Sequence, residues 1–184
     1  MPKKLIQLTP PLLARLEGSW RKEAEACDLD YDTTWGPSMA HAATVIEDPK
    51  PRLWIYGLAH IDAQGRVRAP FDRIVHVNHK LPRTKHAEIR YVWTTLGPAQ
   101  AARKDPGTAI GLIADYMIAA MEMAKIDHKC QTVRLYLPDG TDYQAAKLFV
   151  KAIGVLNSKV APSPPGSVAK LQGRVVGQWL LLDF

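Results

Sequence analysis

Cysteine is scarce, long apolar runs are missing, and a long C-terminal stretch has no acid. The 184 residues hold only Cys27 and Cys130. Two cysteines are too few for a disulfide scaffold or, by themselves, a metal cage, and their surroundings point to reduced, buried thiols. The longest apolar stretch, Ala109 to Met121, is interrupted by Asp115. It falls short of the roughly 18 residues a membrane helix needs, so no membrane partner is expected. The start, MPKKLIQLTPPLL, has a short apolar patch broken by two prolines, with no small-residue cleavage site behind it. It does not read as a signal peptide, and a cytoplasmic location is expected. Also missing are Gly-x-Ser-x-Gly, a Walker loop, carboxylates paired across a cleft, internal repeats and low-complexity tracts. Those gaps remove the usual signals for a serine hydrolase, a P-loop enzyme and a repeat protein.

The residues that are present suit a folded domain. The chain is 47% hydrophobic, 23% charged and 8% aromatic, which excludes a disordered or collagen-like chain. Its length predicts a single domain over residues 1–184. The formal charge is +6, and its distribution is uneven. From Pro49 to Ala87 the acids are Asp62 and Asp72, against Lys50, Arg52, Arg66, Arg68, Arg73, Lys80, Arg83 and Lys85. From Tyr143 to Leu182 there is no acid at all, while Lys147, Lys151, Lys159, Lys170 and Arg174 occur. This asymmetry points to an anionic partner (a phosphorylated cofactor, nucleic acid or an acidic surface) or to a plain solvated basic face.

Periodicity predicts an ordered alternation of elements. Leu5 to Leu8 reads as a short strand. Thr9 with Pro10 and Pro11 opens a helix in which Leu12, Leu13, Leu16, Trp20 and Ala24 recur at helical spacing up to Cys27. Asp28 to Pro37 reads as a loop, Ala40 to Glu47 as a strand, Arg52 to Ile61 as a second strand, and Arg73 to Asn78 as a short third. Lys80 to Lys85 is a basic loop, and Ala87 to Thr94, AEIRYVWT, a strong strand. After a loop with Gly97, Pro98, Pro106 and Gly107 comes a long helix. Its Ile110, Ile113, Ala114, Met117, Ile118, Met121 and Ala124 form the expected inward stripe. Thr132 to Leu137 reads as a strand. A second amphipathic helix follows, with Ala145, Leu148, Phe149 and Ala152 inward and an end at Gly154. Ala161 to Gly166 is a loop, and Leu171 to Phe184 closes the chain with the interior-strand text WLLLDF.

This order is that of a mixed α/β layer architecture. Its local text resembles the Gcn5-related N-acetyltransferase (GNAT) superfamily over most of the chain, above all from Ala87 to Val155. AEIRYVWT resembles the family's fourth strand, which runs into the cofactor loop. Lys104-Asp-Pro-Gly107-Thr-Ala109 resembles the pyrophosphate motif Arg/Gln-x-x-Gly-x-Gly/Ala, with Lys in first place. QTVRLYLPDGTDYQAAKLFVKAIGV resembles the fifth strand, a turn and the helix with the Lys-x-x-Gly-hydrophobe ending. The resemblance implies a mostly antiparallel sheet of six to seven strands flanked by helices on both faces. It implies acetyl-CoA as cofactor, an amine acceptor and no metal. The cofactor would lie against Val92, Trp93, Thr94, Arg103, Lys104, Gly107, Thr108 and Ala109, its pantetheine arm in a slot where the fourth and fifth strands splay. Independently of the family, a helix starting near Pro106 leaves its first N–H groups free for a phosphate, and Gly107 admits a bulky anion. Asp105 before Pro106 is also a good N-cap, whose carboxylate would compete for those amides.

Transfer of an acyl group from a thioester to an amine profits from a base and an acid. The resemblance puts a base on the fourth strand, at Glu88. Arg90, on the same face by alternation, would instead hold that carboxylate ionised. His86 and His76 are the other candidates, because imidazole titrates near neutrality. The family's proton-donating Tyr falls here on Phe149 or Val150, neither of which can donate. Tyr143 lies almost two turns earlier. His60, His76, His79 and His86 lack companions at metal-ligand spacing. Trp35, Trp54 and Trp93 are candidates for an acceptor pocket or for packing, as is the Asp30 to Pro37 segment. The functions expected are an acetyl-CoA-dependent N-acetyltransferase, a structural or assembly protein that keeps the fold without its chemistry (a virion component, with a protein partner or a second copy of the chain), or a nucleic-acid-associated protein.

Overall fold

The computed structural model describes residues 3–49, 52–79, 85–95, 106–137, 140–159 and 171–184. Twelve elements are described: β1 Lys3–Gln7, α1 Pro10–Ala26, α2 Tyr31–Thr34, α3 Gly36–Glu47, β2 Leu53–Ile61, β3 Val67–Asn78, β4 His86–Thr94, α4 Pro106–Ile126, β5 Thr132–Tyr136, α5 Gly140–Lys159, β6 Gln172–Val176 and β7 Trp179–Asp183. The strands form one seven-stranded sheet in the order β1-β2-β3-β4-β5-β7-β6. Every neighbouring pair is antiparallel except β4 and β5. A parallel pair needs a crossover, and α4 makes it. The mixed, mostly antiparallel sheet expected from the sequence is the sheet found.

Two apolar layers cover it. On one face α1, α2 and α3 pack through Leu13, Leu16, Trp20, Tyr31, Met39, Ala42 and Val45 onto Ile55, Ala59, Phe71 and Ile74. On the other, α4 and α5 bring Met117, Ala120, Met123, Ala124, Ala146, Phe149 and Ile153 against Leu58, Val75, Val77, Ala87, Ile89, Val133 and Leu182. Among the described residues, no helix is long and apolar enough to cross a membrane.

Several elements differ from their expectation. Residues 40–47 are helical, not a strand. Pro37 stands at the entrance of α3, and Met39, Ala42 and Val45 face inward at a spacing of three. Burial of that stripe outweighs the β-preference of Thr44, Val45 and Ile46. Strand β3 begins at Val67 rather than Arg73, and Pro70 is tolerated because the β2–β3 register shifts around it, with Ala59 on Phe71 and His60 on Arg68. The C-terminal segment is two strands. Val176 pairs with Trp179 across Gly177-Gln178, and Gly177 takes the positive φ of 57° that so tight a hairpin demands. Strand β7 lies between β5 and β6, the interior place its apolar text called for.

Both long helices keep part of the expected inward stripe (Met117 and Ala124 on α4, Phe149 on α5) and depart from it at Ile118 and Leu148. Among the described side chains of α4 the buried ones are Tyr116, Met117, Ala119, Ala120, Met123 and Ala124, while Ile118 is 53% exposed; Ile110 and Ile113 lie outside that description. Among the described side chains of α5 the buried ones are Ala146, Phe149 and Ile153, with Leu148 at 49% exposure; Ala145 lies outside that description, and the helix runs past Gly154 to Lys159. Both stretches are so rich in apolar residues that two faces compete, and the position of the sheet decides between them. Cys130 is buried as expected, but Cys27, beyond the end of α1, is exposed.

Candidate active site

The sheet opens where β4 outruns β5. The two strands pair in parallel from His86↔Thr132 to Ile89↔Leu135 and no further, whereas β4 continues to Thr94. Against β3, Val77 pairs with Ile89 and His76 with Tyr91, so Arg90 is an extra residue in β4. Such a bulge bends a strand and increases its twist. It falls where the pairing with β5 ends. On the edge towards β5 the N–H and C=O groups of residues 90–94 have no strand partner among the described residues. The chain re-enters the described structure at Pro106, the first residue of α4.

The sequence-predicted cofactor residues distribute around this notch. Val92 packs against the α4–α5 layer and Trp93 against the α1–α3 layer. Thr94 closes the strand, and the next N–H, that of Thr95, donates to the carbonyl of Asp72 at 3.1 Å. Gly107, Thr108 and Ala109 form the first turn of α4, where backbone N–H groups have no intrahelical acceptor. Arg103, Lys104 and the competing cap Asp105 lie outside the described residues.

Glu88 and His86 sit in the zipped part of β4. At about 3.3 Å per residue, His86 is roughly 20 Å along the strand from Val92. The Glu88 carboxylate accepts from Arg90 Nη2 at 3.0 Å and lies 3.4 Å from His86 Nε2. Burial pushes its pKa up, but the Arg90 and His86 contacts outweigh burial, and the carboxyl titrates below its usual range. The His86 pKa is lowered by burial and by the charge of Arg134, against the pull of Glu88. This is the ionised Glu88 that its spacing to Arg90 foreshadowed.

A second constellation stands on the α3 side of the notch. The His41 Nε2 on α3 lies 3.3 Å from the Nδ1 of His76 on β3. His76 stacks on Tyr91, with centroids 5.6 Å apart, and Tyr91 lies nearly parallel to Trp93 at 5.9 Å. The His41 ring meets Trp93 edge-on at 5.9 Å. His76 is 5% exposed, whereas Tyr91 is 53% exposed. Burial first, then the charges of His41 and Arg90, lower the His76 pKa to about 4. Neither His41 nor Tyr91 stood out in the sequence. The available signal was Gly36-Pro37 as a helix entrance, which would have moved His41 from a strand to a helix face.

The other candidates are scattered. Trp35 is buried against Trp20 and Tyr31, and Asp30 caps the short α2, so that segment packs the core. Trp54 meets His128 edge-on at 4.6 Å, at the end of the sheet away from the notch. His60 lies beside Asp72 and His79 beside Cys130 Sγ. Among the described residues, no group of three or more His, Cys, Asp or Glu is placed to hold a metal ion. Phe149 is buried in the α4–α5 layer.

No family model and no curated protein matches the chain. Solved structures similar to it include a chimeric spermidine N-acetyltransferase from Vibrio cholerae, at 14% identity over 82% of this chain and 78% of that one, with a TM-score of 0.45. A Corynebacterium glutamicum histone acetyltransferase HPA2 and related acetyltransferase is 14% identical, over 98% and 96%, with a TM-score of 0.45. A Thermoplasma acidophilum N-acetyltransferase in complex with coenzyme A is 9% identical, over 99% and 98%, with a TM-score of 0.40. Likeness of this degree concerns the arrangement of the chain alone.

Proposed function

We propose that this chain is an acetyl-CoA-dependent N-acetyltransferase that moves an acetyl group directly to an amine, with residues 1–184 as one domain. The observation that carries the reading is the open edge of β4 at residues 90–94 beside its parallel neighbour. An extended arm that carries amide groups, such as pantetheine, fits an unpaired strand edge, because each side satisfies the other's donors and acceptors. When bound, acetyl-CoA supplies an activated thioester carbonyl. The chain supplies Val92, Trp93 and Thr94 beside the arm, and the first-turn amides of α4 at Gly107, Thr108 and Ala109 for the diphosphate. Arg103 and Lys104 add positive charge. In this reading Glu88 and His86 act at a remove from the notch: His86 contacts Glu88, and the Glu88–Arg90 ion pair holds the bulge that opens it.

Titration with acetyl-CoA tests this. Ligand at 100 times its dissociation constant adds about 2.7 kcal/mol of stability, read as a rise in melting temperature. Gly107→Glu places a carboxylate at the mouth of α4 and is expected to abolish that rise without changing the circular dichroism. No rise at millimolar acetyl-CoA rejects the enzyme reading. A second reading, the fold kept as an assembly component, is favoured by one observation. Where the family's proton donor is expected, Phe149 lies in the core at 6% exposure. Acetyl-CoA that binds without any transfer to a panel of amines would select it.

A further inference from the structure

We propose that the α3 side of the notch is an acceptor site for an amine carried on an aryl-methyl group, with Tyr91 and Trp93 as its ring platform and His41 as the group that takes the amine proton. The inference rests on the transfer reading above and names the acceptor class and the base.

The platform is exposed without a structural reason to be. Tyr91 is 53% exposed, although the strand that carries it buries Ala87 and Ile89 completely. Its ring is held by neighbours: His76 stacks on it at 5.6 Å, Trp93 lies parallel at 5.9 Å, and His41 approaches edge-on at 6.5 Å. A fixed, exposed ring row loses little freedom when a flat ligand settles on it. The charges nearby select against a linear polyamine. The carboxylate on this strand, Glu88, is engaged by Arg90 and His86, and Arg90 is close enough to depress His76. A polycation would meet a guanidinium where it needs an acid. A single amine next to an aromatic ring gains from the aromatic faces and needs no second anion.

The His41–His76 pair explains where the proton goes. His76 is buried among His41, Tyr91 and Arg90, and its Nε2 has no hydrogen-bond partner. When His41 Nε2–H donates to His76 Nδ1, across 3.3 Å, the exposed His41 is left with a free lone pair on Nδ1. Protonation there makes the Nε2–H···Nδ1 bond charge-assisted and stronger. Burial keeps His76 neutral, so its Nδ1 stays available to accept that bond. The amine nitrogen forms its bond to the thioester carbonyl carbon and gives its proton to His41 Nδ1. The carbon–sulfur bond breaks with its electron pair on sulfur, and the thiolate takes a proton from water.

The test uses the full chain with three probes of one amine each or more: benzylamine, cyclohexylmethylamine and spermidine. Benzylamine is expected to shift the NMR signals of the Tyr91 ring and the His41 C–H groups. With acetyl-CoA present, it should release free thiol about tenfold or more faster than the other two, since an exchange worth one decade needs only a small difference in binding. Tyr91→Leu, which keeps apolar bulk without a π face, should erase that preference. His41→Gln should leave benzylamine and acetyl-CoA bound, lower thiol release by about 100-fold, and remove the acidic limb of its pH profile. Equal rates for all three amines, or a His41→Gln rate like the parent's, would overturn the proposal. Should acetyl-CoA not bind, the transfer reading falls separately. The NMR arm then decides the acceptor site: benzylamine shifts lost in Tyr91→Leu support it, and their absence sinks it.

Discussion

Mild acid should destabilise this protein through two buried histidines, His128 and His76. His128 accepts or donates at 3.0 Å to the Tyr56 hydroxyl and is 7% exposed. Burial, with the charge of His79, lowers its pKa to about 4 against a weaker opposing pull from Asp127. His76, packed against His41 and near Arg90, is lowered to about 4 as well. In the unfolded chain both return to about 6.5. A folded pKa below the unfolded one means that the unfolded state binds more protons between these values, so stability falls as pH falls from 6.5 towards 4. At pH 5 each histidine has cost about 2 kcal/mol relative to pH 8, from the linkage integral. The two sit on opposite faces of the sheet, so their costs add to about 4 kcal/mol. That is a large share of the 5–15 kcal/mol typical of a domain. Urea unfolding followed by tryptophan fluorescence at pH 8, 7, 6 and 5 measures it. His128→Gln, which keeps a polar group facing Tyr56, should lose about half of the pH slope. A midpoint unchanged between pH 7 and pH 5 would refute the reasoning, because it would mean that neither imidazole is held neutral by the fold.

Other outcomes follow from single contacts. The Trp20 indole N–H donates to the Phe71 carbonyl at 2.9 Å in a fully buried site. Trp20→Phe strands that carbonyl and leaves a gap, at a cost of about 1–3 kcal/mol, to be read from urea midpoints. Arg90→Gln removes the cation beside Glu88, so the Glu88 carboxyl should titrate higher than in the parent, as followed by NMR of its side-chain carbon. A loss of acetyl-CoA affinity in the same variant would tie the ion pair to the notch. A Cβ at Gly57 would lie 2.7 Å from the Phe71 ring and 2.9 Å from Leu8 Cδ2. Gly57→Ala should therefore destabilise by about 1–3 kcal/mol, seen as a lower melting temperature without loss of helix signal.

Much of the fold was legible in the order of residues. The long helix after Pro106, the strands at 53–61, 86–94 and 132–136, and the interior place of WLLLDF follow from periodicity and β-branched runs, which are local signals. The pairing of Glu88 with Arg90 was legible too, because residues two apart on a strand share a face. The helix at 36–47 was not, since its Thr-Val-Ile text favours a strand until Trp20, Trp35 and the sheet surface offer Met39, Ala42 and Val45 a place to be buried. The hairpin at Gly177 was hidden within one apolar segment.

The sequence by itself determined the alternation of elements, the basic balance and the residue types around Gly107, because these depend on neighbours along the chain. Only the tertiary structure decided that α4 and α5 bury Tyr116 and Ile153 in place of Ile118 and Leu148. It alone set Arg90 as the extra residue in β4, the end of the β4–β5 ladder at Ile89, and the meeting of His41 with His76 and Tyr91. Each of those depends on a partner strand or helix far away in the chain, and the register between distant segments is fixed by packing, which local patterns do not encode.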